Sequence, residues 1–158
     1  MTQAPLPGRG WGRPPPPKEH DEQVAFIARC RDRAKRDPRA EILAYVVAVP
    51  NGAYYGPDPK TRAIIGARMR AEGLAEGYED VQLLAPMPRP VDDPAPDGAE
   101  LYFGWLGELK RLQGGRVEPA QAAWHAWHRA QGYRVDVERG GDALYAALCR
   151  YCGLEVDG

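Results

Sequence analysis

The apolar and aromatic run Leu101-Tyr102-Phe103-Gly104-Trp105-Leu106 leads directly into Glu108-Leu109-Lys110, and no other stretch constrains the chain as tightly. An apolar run of this length, bounded by turn residues, predicts a buried strand. Side chains two apart on a strand share a face. Glu108 and Lys110 therefore stand side by side, and Leu109 turns the other way, into the core. Gly114-Gly115 ends the strand, and Glu118-Pro119 opens a helix with Gln121 in its first turn, since proline suits the first helical position. An apolar strand thus delivers a carboxylate and an ammonium to one place.

The rest of the chain supplies elements to pack around that strand. A helix is expected from Glu19 to the stop at Asp37-Pro38, its apolar spacing carried by Val24, Ile27 and Ala28 or by Phe26 with Cys30. Ile42–Val49 reads as a strong strand closed by Pro50-Asn51-Gly52. Thr61–Glu72 reads as a helix and Val81–Leu84 as a short strand that begins next to Glu79-Asp80. Residues 86–99 are too rich in Pro and Asp to pair and form a long hairpin loop. Pro119–Gln131 is an amphipathic helix, Tyr133–Val137 a fourth strand, and Asp142 N-caps a last helix. There are no internal repeats.

Residues 1–18, with Pro14–Pro17 and three positive charges, read as a disordered Pro/Gly-rich arm ahead of one folded domain spanning 19–158. The 16 Pro, 18 Gly and mean hydropathy of -0.54 fit a chain that is part loop, while four Trp and an apolar share of 44% supply a core. A net charge of -1 leaves global charge silent about a polyanionic partner. No stretch is apolar for the length of a membrane span, so no membrane partner is expected. Three cysteines, an odd number, fit a reducing, cytoplasmic setting.

Glu-x-Lys on a strand suits metal-dependent phosphodiester chemistry, with one ligand for a hard cation and one fixed positive charge near the phosphate. An exposed strand end can carry the same two residues as a solvated pair contributing about 0–1 kcal/mol, so a second carboxylate has to separate the readings. Asp80 offers one. Its strand and that of Glu108 are consecutive and joined by a hairpin loop, so they should pair antiparallel and bring the two acids together. Like charges at such range repel unless a cation lies between them. Oxygen ligands with no neighbouring His or Cys favour Mg2+ or Mn2+ over zinc.

Glu19-His20-x-x-Gln23, Val49-Pro50-Asn51-Gly52, Arg70-Ala71-Glu72-Gly73, Gly77-Tyr78-Glu79-Asp80, Glu108-Leu109-Lys110 and Pro119-x-Gln121, in that order, resemble the stand-alone VRR-NUC (virus-type replication-repair nuclease) proteins of phages and bacteria, within the PD-(D/E)xK superfamily. The likeness runs from about Glu19 to Tyr151. It implies an α/β restriction-endonuclease-like core, a mixed four-stranded sheet flanked by helices. It implies a Mg2+- or Mn2+-dependent endonuclease on DNA, branched or Holliday-junction duplex above all, working as a homodimer in the cytoplasm of a bacterial or phage-infected cell.

Carried across by position, Asp80 and Glu108 would be metal ligands, with the Leu109 carbonyl a further one. Lys110 would orient the attacking water or neutralise charge on the phosphate, with Gln121 positioning it. Glu19 would approach the metal, supported by Gln23, and Arg111, Arg116 and Asn51 would contact the substrate. The family commonly has Pro immediately before the aspartate, where this chain has Glu79, which could misplace Asp80 or stand in for it. Glu22 competes with Glu19 as the helix acid. A non-catalytic nucleic-acid-binding or interaction module on the same fold is the alternative.

Several other residues carry competing readings. His125 and His128, three apart, could bind zinc, but with Trp124 and Trp127 packing inward the histidines are expected to face solvent. The tryptophans could also stack on unpaired bases. Cys149-x-x-Cys152 has zinc or redox spacing without a second pair, and reads as core. The arginines and lysine from Arg29 to Arg39 read either as a solvated helix end or as a stripe that tracks phosphates.

Overall fold

The computed structural model describes residues 18–49, 58–95 and 97–157. The first helix, α1 (Glu19–Arg36), begins with Glu19, Asp21 and Glu22 and ends with Arg33, Lys35 and Arg36, charges that complement its dipole. Of the two apolar spacings, Phe26 with Cys30 is the buried one, and Val24 is exposed. The helix stops at Asp37 because Pro38 follows.

From there the chain departs from the sequence reading. The strand expected over Ile42–Val49 is mostly a 3-10 segment, Pro38–Tyr45, and only β1 (Val47–Ala48) pairs. The Asp37 side chain accepts from Arg39 N at 3.1 Å, and Pro38 sets the first turn. Ala40 and Leu43, three apart, then fall on one side and are fully buried in the core that α1 helps to form. Burial overrides β-propensity here.

After α2 (Pro59–Ala71), capped by Asp58 accepting from Thr61 N at 2.9 Å, comes β2 (Val81–Leu83). The stretch expected to be an unpaired loop holds a small ribbon, β3 (Met87–Pro88) against β4 (Leu101–Tyr102). A two-stranded ribbon tolerates proline because each strand is an edge. The apolar run is accordingly split. It breaks at Phe103-Gly104, where Phe103 N donates to Gly132 O (3.0 Å), and resumes as β5 (Trp105–Lys110).

Then follow α3 (Pro119–Ala130), β6 (Arg134–Arg139) and α4 (Gly141–Tyr151). Gly140, not Asp142, occupies the N-cap of α4, and Asp142 sits in the first turn with its carboxylate 3.2 Å from Arg29. The main sheet is β1-β2-β5-β6, antiparallel except for the β5–β6 pair, whose parallel crossover contains α3. This is the expected α/β architecture, a mixed four-stranded sheet flanked by helices.

Alternation along β5 divides its side chains between two layers. Trp105 and Leu109 enter the apolar core with Phe26 and Cys30 of α1 and with Leu144, Leu148 and Cys149 of α4. The Trp105 indole lies over Gly107, where a Cβ would come within 2.4 Å of the ring, so only glycine fits. Its Nε1 donates to Asp136 Oδ2 at 2.8 Å, which satisfies the one polar atom of that side chain. Glu108 and Lys110 point to the opposite layer, towards α3. No helix among the described residues is long and apolar enough to cross a membrane.

Candidate active site

The side chain of Gln121 joins the N-terminus of α3 to the end of β5. Its Oε1 accepts from Glu118 N (3.0 Å) and from Lys110 Nζ (2.7 Å), and its Nε2 donates to Glu108 Oε1. Lys110 Nζ also donates to Glu108 Oε1 at 2.7 Å. Glu108 and Lys110 are 1% and 7% exposed, so this is a buried, charge-assisted network and not a solvated pair. The capping residue of a helix thereby fixes the carboxylate–ammonium pair that the strand delivers.

Asp80 arrives from the other side of the hairpin. The β2–β5 register pairs Val81 with Gly107, which continues to place Asp80 opposite Glu108. Its Oδ2 accepts from Leu109 N at 2.8 Å, and its backbone O accepts from Gln23 Nε2 of α1 at 3.4 Å. Burial first, and then the Glu108 carboxylate, push the Asp80 acid up to about 7, with Glu19 adding to the effect and the Leu109 N–H and Lys110 opposing it. Before Asp80, the chain passes close to α3 at Gly77 (φ 82°), where a Cβ would lie 2.8 Å from Gln121 N. Glycine supplies both the positive φ and the close approach.

The remaining residues singled out from the sequence divide. Glu19 belongs to the electrostatic surroundings of Asp80 and stands 3.7 Å from Arg111 Nε. Its competitor Glu22 lies instead along Gly140 and Gly141. Leu109 is buried in the core, with its N–H on Asp80. Arg111 and Arg116 are exposed, and Arg116 faces Glu118 at 3.4 Å. Asn51 lies outside the described residues. The Arg29–Arg39 cluster is only partly solvated, because Arg33 is buried, donating to Glu155 O (2.7 Å) and Tyr145 Oη (3.2 Å).

Helix α3 is turned the other way round from the sequence reading. His125 and His128, expected to face solvent, are buried, and Trp127, expected in the core, is 54% exposed. Gln121, His125 and His128 are spaced i, i+4, i+7 and so share one face. Once Gln121 is held by Lys110, both histidines must turn inward. His128 Nδ1 is hydrogen-bonded to Glu79 Oε1 at 2.8 Å, inside a ring of Tyr78, Trp124, Trp127 and Tyr133. Glu79 thus has a structural partner in α3, while Asp80 accepts from Leu109 N of β5. His125 Nε2 comes within 3.9 Å of Glu108 Oε2. The signal for both histidines lay in the sequence as their helical spacing from Gln121.

Glu108 Oε1 is taken up by Lys110 and Gln121, while Oε2 is buried without a hydrogen-bond partner. An orphaned carboxylate oxygen beside an acid pushed up by burial and then by that same carboxylate fits a divalent cation. Among the described residues no group of three or more His, Cys, Asp and Glu is close enough to hold a metal unaided. Two carboxylates with water and backbone oxygen fit the habit of Mg2+ and Mn2+, which keep several waters. A cleft of about 440 Å³ lined by Val49, Met69, Leu74, Tyr78 and Gln82 lies beside this site, not over the carboxylates.

The sheet order and the crossover helix define an α/β domain that carries acids on two adjacent strands. A solved structure described as a VRR_NUC domain protein shares this fold, with a TM-score of 0.60 at 16% identity over 89% of this chain and 92% of that one. No family model and no curated protein matches the sequence.

Proposed function

We propose that this chain is a metal-dependent nuclease that hydrolyses phosphodiester bonds in DNA, with its site at Asp80, Glu108 and Lys110. The observation that carries the reading is the buried Glu108–Lys110–Gln121 network set opposite Asp80, whose acid is pushed up to about 7. Holding two acids and an ammonium together in a buried setting costs desolvation and repulsion, which a bound cation would relieve. The fold shared with a VRR_NUC domain protein supports the same reading.

In this reading Asp80 and Glu108 would hold the cation, and the Leu109 carbonyl would be a further ligand. The cation supplies a Lewis acid for the phosphate and lowers the pKa of a water. Lys110, held by Glu108 and Gln121, places a fixed positive charge where the phosphate oxygens gain negative charge. Glu19 and Gln23 approach Asp80 from α1. Exposed Arg111 offers a charge to the DNA backbone next to the site, and Arg116 another on the loop that precedes α3. Branched duplex as substrate and a homodimer presenting two such sites belong to the same proposal.

The test is incubation of the purified protein with supercoiled plasmid and synthetic four-way junctions in Mg2+, Mn2+ or EDTA. Nicking or junction cleavage with either metal and none in EDTA is the expected result. Binding without cleavage under every metal condition would replace the nuclease by a binding module.

A further inference from the structure

The unpartnered oxygen of Glu108 identifies one more residue at the cation. Because Lys110 and Gln121 occupy Oε1, a cation can join this carboxylate through Oε2 alone. That oxygen faces His125 Nε2 across 3.9 Å, and both atoms are buried with no hydrogen-bond partner. The gap is too long for a hydrogen bond. Nitrogen and oxygen ligands stand about 2.0–2.2 Å from a zinc-class ion, so one such ion would span it.

We propose that His125 Nε2 and Glu108 Oε2 together take the cation, so that the site prefers a first-row transition ion to Mg2+. The proposal rests on the nuclease reading and deepens it. The other features of α3 agree with this role. Gln121 fixes the rotation of the helix at its first turn, and one turn on, the same face brings His125 to Glu108. His128 is already committed to Glu79, which leaves His125 as the imidazole open to a ligand. Imidazole suits transition ions, whereas Mg2+ holds to oxygen and keeps its waters. With few protein donors, replacing one oxygen by an imidazole nitrogen weighs heavily in that choice.

Pulsed EPR of Mn2+ added to the full chain tests the assignment, with wild type compared with His125→Gln. Wild type is expected to show nitrogen modulation from a directly bound imidazole, which the variant lacks. Mn2+ affinity is expected to fall about tenfold in His125→Gln, while Mg2+ affinity, read by competition, changes less than twofold. Should the variant fail to fold, 15N-histidine labelling of wild type must alter the modulation without any substitution. Mn2+ that depends on Asp80 and Glu108 but shows no imidazole coupling would overturn the role of His125 and leave the nuclease reading standing. Mn2+ binding unchanged in Asp80→Asn and Glu108→Gln, or no binding at all, would instead overturn the site itself.

Discussion

Strand β5 presents two unlike faces to the molecule, and the contrast separates what holds the fold from what the proposed function would use. On one face Trp105 and Leu109 meet Phe26, Leu144 and Leu148 in a dry core that carries its stability in buried apolar area. On the other, Glu108 and Lys110 meet Gln121 and His125, and two polar atoms remain without partners. Buried charges of this kind cost about as much in desolvation as they return in attraction. The apolar face therefore stabilises the domain, and the polar face is maintained at a cost to it.

The largest effect should come from neutralising the polar face. Replacing Glu108 and Lys110 together by Gln and Met is expected to lower metal-dependent cleavage by about a thousandfold or more, roughly 4 kcal/mol of barrier. Urea unfolding of the same protein should show unchanged or higher stability, because the buried ion pair is removed as a whole and the Glu108 charge that repels Asp80 goes with it. A large loss of stability would erase the contrast between the faces.

Leu148→Ala reverses the pattern. It opens a cavity in the dry core and should cost about 3 kcal/mol in urea unfolding, with cleavage per folded molecule close to wild type. If activity fell as steeply as stability, the two faces would not be separable.

Asp80 ties stability to pH with a definite sign. Its folded acid titrates near 7, above the ordinary carboxylate value, so between about pH 4 and 7 the folded state binds the extra proton. Stability from this group is thus greatest below the unfolded value, declines as pH rises, and is fully lost above about 7. In EDTA, Asp80→Asn should unfold at higher denaturant than wild type at pH 8, by on the order of 1–2 kcal/mol, and show no advantage at pH 4. Mg2+ or Mn2+ at pH 8 should narrow the difference by stabilising wild type alone. An equal advantage at both pH values would detach Asp80 from the acidic cluster.

The smallest effect is a control. The Arg68–Glu72 pair of α2, 2.8 Å apart but exposed, has the same charges as Glu108–Lys110 without the burial. Arg68→Ala is expected to change unfolding stability by no more than about 0.5 kcal/mol and cleavage not at all.

The sequence by itself determined the elements whose signals are local. The limits of α1 followed from an acidic start and Pro38, the opening of α3 from Glu118-Pro119, and the pairing of β2 with β5 from the hairpin order. The side-by-side placement of Glu108 and Lys110 followed from strand alternation alone. Tertiary structure decided what depends on competition between partners. Ile42–Val49 had the residues of a strand, but burying Ala40 and Leu43 in a tight helical turn won over pairing. Hydrophobicity alone puts Trp127 in the core and His125 and His128 towards solvent, the reverse of the rotation that α3 adopts. That rotation is set by Gln121 and Glu79, buried polar partners that bind one helix face and leave Trp127 to solvent. Hydrogen bonds that must be satisfied in a dry interior outrank the transfer energy of one indole, and only the folded arrangement says where those bonds are.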